Sequence, residues 1–387
     1  MSHKTRNPDE VLNKIVKEAS IFEGKEAVRA ILREIYLSGT IGTKALSRKL
    51  FMPIPTIAAI RKELEKEELI AREKRGAILT EQGLKFVNDS LGIHYLESHS
   101  CRRCERTGIA LPNGAEKLIK KQKYFSERRP KPQTEIDQAY GRPITAIRRA
   151  YLMLENNDLE GRDILLIGDD DFTSLAIAQL QTSANITVLD IDERLLAVIE
   201  EISKENNFTI TCIKHDLRKS LPNSLEGGFD VILTDPPYTI PGLELFLSRA
   251  IQALKAEAGR KIYLAYAHRA PTMQLEVQNS LTKLGLAILQ IIPGFNLYEG
   301  AEMHGNTTYI SILSTTEKTE AIVHADFEKK MYTGEFSPTI KEYKCKNEHI
   351  IEVGPESTFK KIEDLKESGC PLCGAKEGFV RISRRKI

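Results

Sequence analysis

From residue 162 to about 315 the chain alternates short apolar segments with amphipathic ones, and this alternation constrains its fold more than any other feature. DILLIG, ITVLDID, TITCIKHD, FDVILTDPP and KIYLAYA are strand-length runs dominated by Ile, Leu and Val. Between them, TSLAIAQLQ, RLLAVIEEISKEN, ELFLSRAIQAL and TMQLEVQNSLTKLG repeat their apolar residues at helical spacing. Strands that are apolar throughout, rather than at every second residue, belong to sheets covered by helices on both faces. The pattern therefore predicts a doubly wound α/β sheet.

The last two apolar segments, LAILQIIPGF and TTYISILS, have no helix between them and predict an antiparallel pair at one edge of the sheet. That ending is found in Rossmann-like sheets of the methyltransferase type rather than in dehydrogenases. The sheet domain is expected over residues 161–318. Ahead of it, EAVRAILREIYLSG, TKALSRKLF and PTIAAIRKELEKEELI read as three helices, REKRG as a turn between two extended pieces, and Thr80 as the cap of a further helix. This order predicts a winged-helix N-terminal domain over 1–95. A connector over 96–160 carries a CxxC pair, a basic run and the helix ITAIRRAYLMLE, and a small Cys/His-bearing module is expected over 319–387.

A winged helix suggests DNA, with Thr56, Arg61 and Lys62 on a reading helix and Arg72, Lys74 and Arg75 on the wing. Charge argues the other way. That helix mixes acids with its bases, and 56 Lys+Arg against 54 Asp+Glu leave a net charge of only +2, so nucleic acid is not the expected partner. No apolar run approaches the roughly 20 residues that span a bilayer, and MSHKTRNPDE lacks the apolar core of a secretion signal, so no membrane partner and a cytoplasmic location are expected. Abundant Lys, Glu, Arg and Ile are compatible with a thermophilic source.

In a doubly wound sheet the ligand lies beyond the carboxyl ends of the strands. Each of four loops there carries an acid. The first reads Gly168, Asp169, Asp170, Asp171, Phe172, Thr173, Ser174, where nucleoside-binding loops usually offer several glycines. One of these acids is expected to cap the following helix. Three together would repel the carboxylate of S-adenosylmethionine unless neutralised, but would favour a donor bearing only an ammonium, and polycations generally. Asp190, at the end of the second strand, is placed to hold ribose hydroxyls, with Asp192 as its alternative or as a helix cap. Asp216 and Leu217 follow the third strand, where an acceptor for the adenine amino group belongs. The fourth strand ends in Thr234, Asp235, Pro236, Pro237, Tyr238, similar to the tetrapeptide with which amino-methyltransferases hold a target nitrogen and stack a flat base on the aromatic ring. Asn296, Tyr298 and Glu299 in PGFNLYEG fall near the same pocket mouth. His268 and Arg269 are not expected to be catalytic.

Together, CRRCERTG, EIDQAYGRP, GDDDFTSLA, VLDIDERLL, HDLRKSLP, FDVILTDPP and GFNLY resemble the branched-chain polyamine synthases, the N(4)-bis(aminopropyl)spermidine synthases, over about residues 25–315. The resemblance implies transfer of aminopropyl groups from decarboxylated S-adenosylmethionine to the secondary amine of spermidine or a related polyamine, releasing methylthioadenosine. It implies that Asp170 is the proton acceptor, that Asp190 and Asp216 contact the nucleoside, and that Asp137, Gln138 and Tyr140 lie near the polyamine. The sequence then assigns Asp170, Asp171 and Asp235 to catalysis and Gly168, Asp169, Asp190, Asp192, Asp216 and Leu217 to the nucleoside. Pro236, Tyr238, Asn296 and Tyr298 complete the polyamine side. A nucleic-acid amino-methyltransferase is the alternative, and a homodimer is compatible with the winged helix.

Six cysteines are too few for a disulfide scaffold in a chain of 387 residues. Cys345, His349, Cys370 and Cys373 offer a tetrahedral structural zinc site, with Cys101 and Cys104 as alternative ligands. No catalytic metal is expected, because aminopropyl transfer needs none.

Overall fold

The computed structural model describes residues 7–94, 104, 107–299, 306–336, 339–354, 357–359 and 362–386; Cys101 lies outside them. The chain divides into two compact units, Met1–Thr134 with Gln138–Glu328, and Glu135–Asp137 with Lys329–Ile387. No described helix is long and apolar enough to cross a membrane.

The N-terminal segment opens with α1 (Pro8–Ala19), which the sequence pattern did not reveal because only Val11, Leu12 and Ile15 form its buried stripe. Then come α2 (Lys25–Ser38), α3 (Thr43–Leu50), α4 (Ile54–Lys66), the hairpin β1 (Ile70–Glu73) and β2 (Gly76–Leu79), and α5 (Glu81–Lys85). Thr80 caps α5 through its hydroxyl, which accepts the Gly83 N–H at 2.9 Å. These elements share one core, in which Val28, Ile31, Leu32, Ile35, Leu46, Ile57, Ile60 and Leu64 are fully buried. Two side chains expected on a DNA-reading face point elsewhere. Arg61 is buried and donates to the Thr43 hydroxyl, and Thr56 donates to Glu23 at 3.0 Å. Phe51, at the α3–α4 turn, stacks on His268 of the sheet with ring centroids 4.8 Å apart.

After α6 (Ala115–Ser126) and α7 (Pro143–Glu155), the sheet follows: β3 (Asp163–Ile167), α8 (Thr173–Gln179), β4 (Asn185–Asp190), α9 (Glu193–Asn206), β5 (Ile210–Lys214) and β6 (Val231–Thr234). It is completed by α10 (Ile240–Ala253), β7 (Lys261–Ala267), α11 (Pro271–Lys283), β8 (Ala287–Leu297) and β9 (Thr307–Ser314). The seven strands lie in the order β5-β4-β3-β6-β7-β9-β8, with β9 antiparallel to both of its neighbours and the remaining pairings parallel. The apolar strands have the reason anticipated. Ile164 and Leu166 of β3 enter one core with α7, α8 and α9, while Leu165 and Ile167 enter another with α10 and α11. Each such side chain contributes on the order of 1.5–3 kcal/mol when fully buried.

The first unit runs ten residues past the predicted boundary at 318, to Glu328. Arg249 is fully buried on α10 and needs acceptors; it finds them in the carbonyls of Val323 at 3.3 Å and Ala325 at 2.8 Å. The second unit holds α12 (Thr333–Phe336), α13 (Ile362–Ser368) and a three-stranded antiparallel sheet in which β10 (Thr339–Lys344) lies between β11 (Ile350–Val353) and β12 (Val380–Lys386). Its buried core is small: Cys345, Ile351, Val353, Leu365, Cys370 and Ala375.

Candidate active site

The loop after β3 turns at Gly168, whose φ of +75° is one an L side chain rarely adopts. Its three acids then go three ways. Asp169 is buried and spends its carboxylate on the start of α8, accepting the Thr173 N–H at 2.7 Å and the Ser174 N–H at 3.1 Å. This is the cap the sequence required, so the carboxylate assigned to the nucleoside is already occupied. Burial, only partly offset by these donors, pushes Asp169 up to about 7.

Asp171 turns inward to Arg149. The guanidinium and the carboxylate meet at 2.8 Å with both side chains 2% exposed. The second Asp171 oxygen accepts the Gly141 N–H. Arg149 also donates to Asp235 at 3.0 Å, to the Asn296 amide oxygen at 2.9 Å and to the Tyr298 hydroxyl at 3.0 Å. Removing a guanidinium from water costs several kcal/mol unless its donors and charge are met, and here both are met. Burial works against the charge, but Tyr298, Asp171 and Asp235 outweigh it and hold Arg149 more firmly protonated than an ordinary arginine.

Asp235 is similarly enclosed. One oxygen takes Arg149 and the Tyr298 hydroxyl, and the other accepts the Tyr238 hydroxyl at 3.1 Å. Burial raises it, Arg149 lowers it and Asp171 raises it, leaving it pushed up to about 6. Asn296 is locked by its own amide, which donates to the Thr308 hydroxyl and the Tyr309 carbonyl, each at 3.0 Å. The Tyr238 ring packs edge-on to Tyr266 at 5.3 Å, and its carbonyl accepts from Arg269. Pro236 is buried.

Asp170 differs from both neighbours. Among the described residues its carboxylate makes no hydrogen bond or ion pair, and the residue is half-buried. Enclosure by protein comes first, then the charges of Asp171, Asp235 and Asp190, and together they raise it well above the usual carboxylate range. Arg129 lies beside it, donating to the carbonyls of Gly141 at 3.1 Å and Asp170 at 3.3 Å while its guanidinium sits 4.4 Å over the Tyr140 ring.

The nucleoside-side acids are arranged around the ends of β4 and β5. Asp190 braces the loops, accepting the Asp169 N–H at 3.1 Å and the Asp192 N–H at 2.8 Å. Asp192 caps α9 through the Arg194 N–H at 3.1 Å and receives the Gln133 and Gln138 amides at 3.0 and 3.2 Å. Asp216 pairs with Arg218 at 2.7 Å, and the Leu217 carbonyl accepts from Arg249 at 3.0 Å. Tyr140 is buried and donates to the Pro130 carbonyl at 2.6 Å. Asp137 groups with the second unit, where its carboxylate accepts the Thr333 N–H at 2.7 Å.

Sequence reasoning missed Arg149 and Arg129. Arg149 sits beside Ile147 and Ala150 in an amphipathic helix, where periodicity assigns a charged residue to solvent. The available signal was the acid-rich loop itself, since several carboxylates in one pocket require a cation. In the second unit, the ligand atoms of Cys345, His349, Cys370 and Cys373 lie within 4.8 Å of one another. The Cys345 sulfur is 3.5 Å from His349 Nδ1 and 3.7 Å from the Cys373 sulfur.

This sheet order, with Asp170, Asp171, Asp190 and Asp235 gathered at the strand ends, is that of the methyltransferase-like α/β class. Comparison with known proteins narrows the class. The branched-chain polyamine synthase A C-terminal domain matches residues 117–358, and the chain belongs to the branched-chain polyamine synthase family. It is 31% identical over 294 residues to the N(4)-bis(aminopropyl)spermidine synthase of Thermococcus kodakarensis, covering 75% of this chain and 82% of that one. It is 36% identical over 250 residues to the enzyme of that name from Methanocaldococcus jannaschii, covering 64% and 70%. An uncharacterised protein of the same organism is 44% identical over 378 residues, covering 97% and 94%. In fold, the chain matches the branched-chain polyamine synthase of Thermus thermophilus, solved with N4-aminopropylspermidine and 5'-methylthioadenosine, at a TM-score of 0.68 and 23% identity over 84% of this chain and 98% of that one.

Proposed function

We propose that the chain transfers aminopropyl groups from decarboxylated S-adenosylmethionine to the secondary amine of spermidine or a close relative, giving a tertiary and then a quaternary branched polyamine. The observation that carries this reading is the division of the acid cluster: Asp171 and Asp235 are held by Arg149, and Asp170 is left without a partner among the described residues. A secondary ammonium has no lone pair for attack until it loses its proton, and a carboxylate raised by enclosure and like charge is a suitable base. Asp170 takes that proton. The nitrogen then bonds to the aminopropyl carbon attached to sulfur, the C–S bond breaks, and its electron pair stays on sulfur as methylthioadenosine leaves. The product is a tertiary ammonium; once Asp170 has released its first proton to solvent it takes the one left on nitrogen, and the tertiary amine then repeats the attack to give the quaternary product. The remaining contribution is orientation of the two substrates in line.

Base methylation is less well supported. There the acid of the DPPY motif must accept the target amino group, whereas both Asp235 oxygens already accept from Tyr238, Tyr298 and Arg149. Tyr238 packs against Tyr266 and is not laid out as a stacking platform. We read α2–α4 with the β1–β2 hairpin as a winged helix used for packing rather than for DNA, since Phe51 at its helix-turn-helix corner is stacked on His268.

For the second unit we propose a structural zinc held by Cys345, His349, Cys370 and Cys373. A tetrahedral site with metal–sulfur bonds of about 2.3 Å places its sulfurs close together, consistent with the 3.7 Å between the Cys345 and Cys373 sulfurs. A core of six buried residues, two of them these cysteines, also needs such a staple.

The test is mass spectrometry of spermidine incubated with the protein and either decarboxylated or ordinary S-adenosylmethionine. Aminopropyl additions with the decarboxylated donor alone are expected. Asp170→Asn should abolish them while methylthioadenosine still binds; full activity in that variant would reject the assignment.

A further inference from the structure

We infer that Arg149 is the positioning residue of this site, taking up Asp171 and Asp235 so that Asp170 alone meets the acceptor amine as an uncompensated carboxylate. The inference rests on the aminopropyl-transfer reading and adds to it the device that selects one base out of three.

Three observations support it. First, Arg149 comes from α7, before the sheet, yet joins the loops after β3 and β6 and the end of β8 through Asp171, Asp235, Asn296 and Tyr298. A guanidinium offers five donors in a planar fork, so it can hold two carboxylates, an amide oxygen and a hydroxyl at once, whereas an ammonium has only three donors. Second, a rivet for packing alone would not require that both its anions flank the one acid left open. Third, Gly141, two residues before α7, approaches so closely that a Cβ there would lie 2.6 Å from the Asp171 carboxylate, which fixes that carboxylate from the side opposite Arg149.

The groups facing Asp170 are Asp171 on its own loop, Asp190 at the end of β4, Asp235 after β6, and Arg129 and Tyr140 ahead of α7. Without Arg149, Asp171 keeps the Gly141 N–H and Asp235 the Tyr238 and Tyr298 hydroxyls, but both lose the one cation that balances their charge. They then attract the polyamine's ammonium groups in competition with Asp170, so the cation binds at least as well but in unproductive positions. Loss of Arg149 should therefore separate binding from turnover.

The experiment compares the unmodified protein with Arg149→Met, Arg149→Lys and Arg149→Met/Asp171→Asn, measuring kcat, spermidine KM and thermal midpoint. Arg149→Met is expected to lose 100-fold or more in kcat with spermidine KM unchanged or lower. Arg149→Lys should lose less, and the double substitution, which removes one of the released acids, should regain tenfold or more over Arg149→Met. A folded Arg149→Met with kcat within threefold of the unmodified protein, or one whose only change is a raised KM, would overturn the inference. So would a double substitution no better than Arg149→Met. If Arg149→Met does not fold, the double substitution is compared with Asp171→Asn alone: a kcat tenfold lower in the double supports the role, and equal values overturn it. An unmodified protein that transfers nothing to spermidine removes the functional reading and this inference with it. An active unmodified protein without the kcat–KM separation removes only the inference.

Discussion

Gly141→Ala is the smallest change that reaches the centre of the site. An alanine Cβ at 141 would lie 2.6 Å from Asp171 Oδ1, 2.7 Å from its carboxyl carbon and 2.8 Å from Oδ2, where ordinary contact begins at 3.4 Å. The carboxylate must therefore retreat by about 0.8 Å, and it is not a loose side-chain end. One oxygen accepts the Gly141 N–H and the other sits 2.8 Å from an Arg149 that three further partners pin in place. Breaking one partner of a buried pair outright costs about 3–5 kcal/mol, and partial adjustment brings the expected loss to about 2–4 kcal/mol. In a protein of this size each kcal/mol moves Tm by about 1.2 °C, so a fall of roughly 2–5 °C is expected in a thermal scan. Turnover should drop tenfold or more, because about 1.4 kcal/mol of misplacement in the transition state suffices for that. A Gly141→Ala protein with unchanged Tm and turnover would show that the position of Asp171 is not what this pocket depends on.

Other expectations concern protons and metal. Burial and then the neighbouring acids raise Asp170, and a base works only when deprotonated, so transfer should fail as pH falls through that raised value. Asp235→Asn removes one of those charges and should move the acid limb of kcat/KM to lower pH; an unmoved limb would show that the cluster does not set the base. Asp192 is held at about 2, because the hydrogen bonds from Arg194, Gln133 and Gln138 outweigh its burial. Its stabilising contribution is thus complete above the ordinary carboxylate range and lost as pH falls from about 4 towards 2. Asp192→Ala should cost about 1–2 kcal/mol in denaturant unfolding at pH 7, as the loss of a helix cap does, with the difference narrowing at the acid end; a pH-independent difference would contradict the assignment. Protein purified without chelator should carry about one zinc per chain by elemental analysis, given four ligands in tetrahedral reach, and Cys370→Ser should carry less than half of that. Equal metal in both would exclude this site.

The central strands of the main sheet were legible in the sequence because β-strands buried on both faces leave an unbroken apolar run, as Ile164, Leu165, Leu166 and Ile167 do, and the edge strand β8 carries such a run although Ile288, Leu289 and Ile291 are exposed. The turn residues of the N-terminal hairpin and the Thr80 cap were legible for the same local reason. What could not be read was whatever depended on distant partners. Arg149 is a surface residue by periodicity and becomes a buried one only because Asp171, Asp235, Asn296 and Tyr298 arrive from three other elements. The fates of Asp169, Asp170 and Asp171 were likewise mixed in one loop, and only its turn at Gly168 and the left-handed Phe172 separate a capping carboxylate from an open one. The stretch up to Glu328 groups with the first unit partly because Arg249 takes the carbonyls of Val323 and Ala325, a demand no composition shift announces.

The strand order has a consequence for the chain as it is made. Arg149 bonds Asn296 and Tyr298, 147 and 149 residues further along, and β8 joins the sheet only through β9, the last strand of that sheet to be synthesised. Contacts so far apart in sequence form late. A nascent chain that has already displayed both the GDDD loop and the DPP turn holds Arg149 but still lacks the Asn296 oxygen and the Tyr298 hydroxyl that complete its setting. The full set of contacts around Arg149 is therefore completed only once β9 has brought β8 into the sheet.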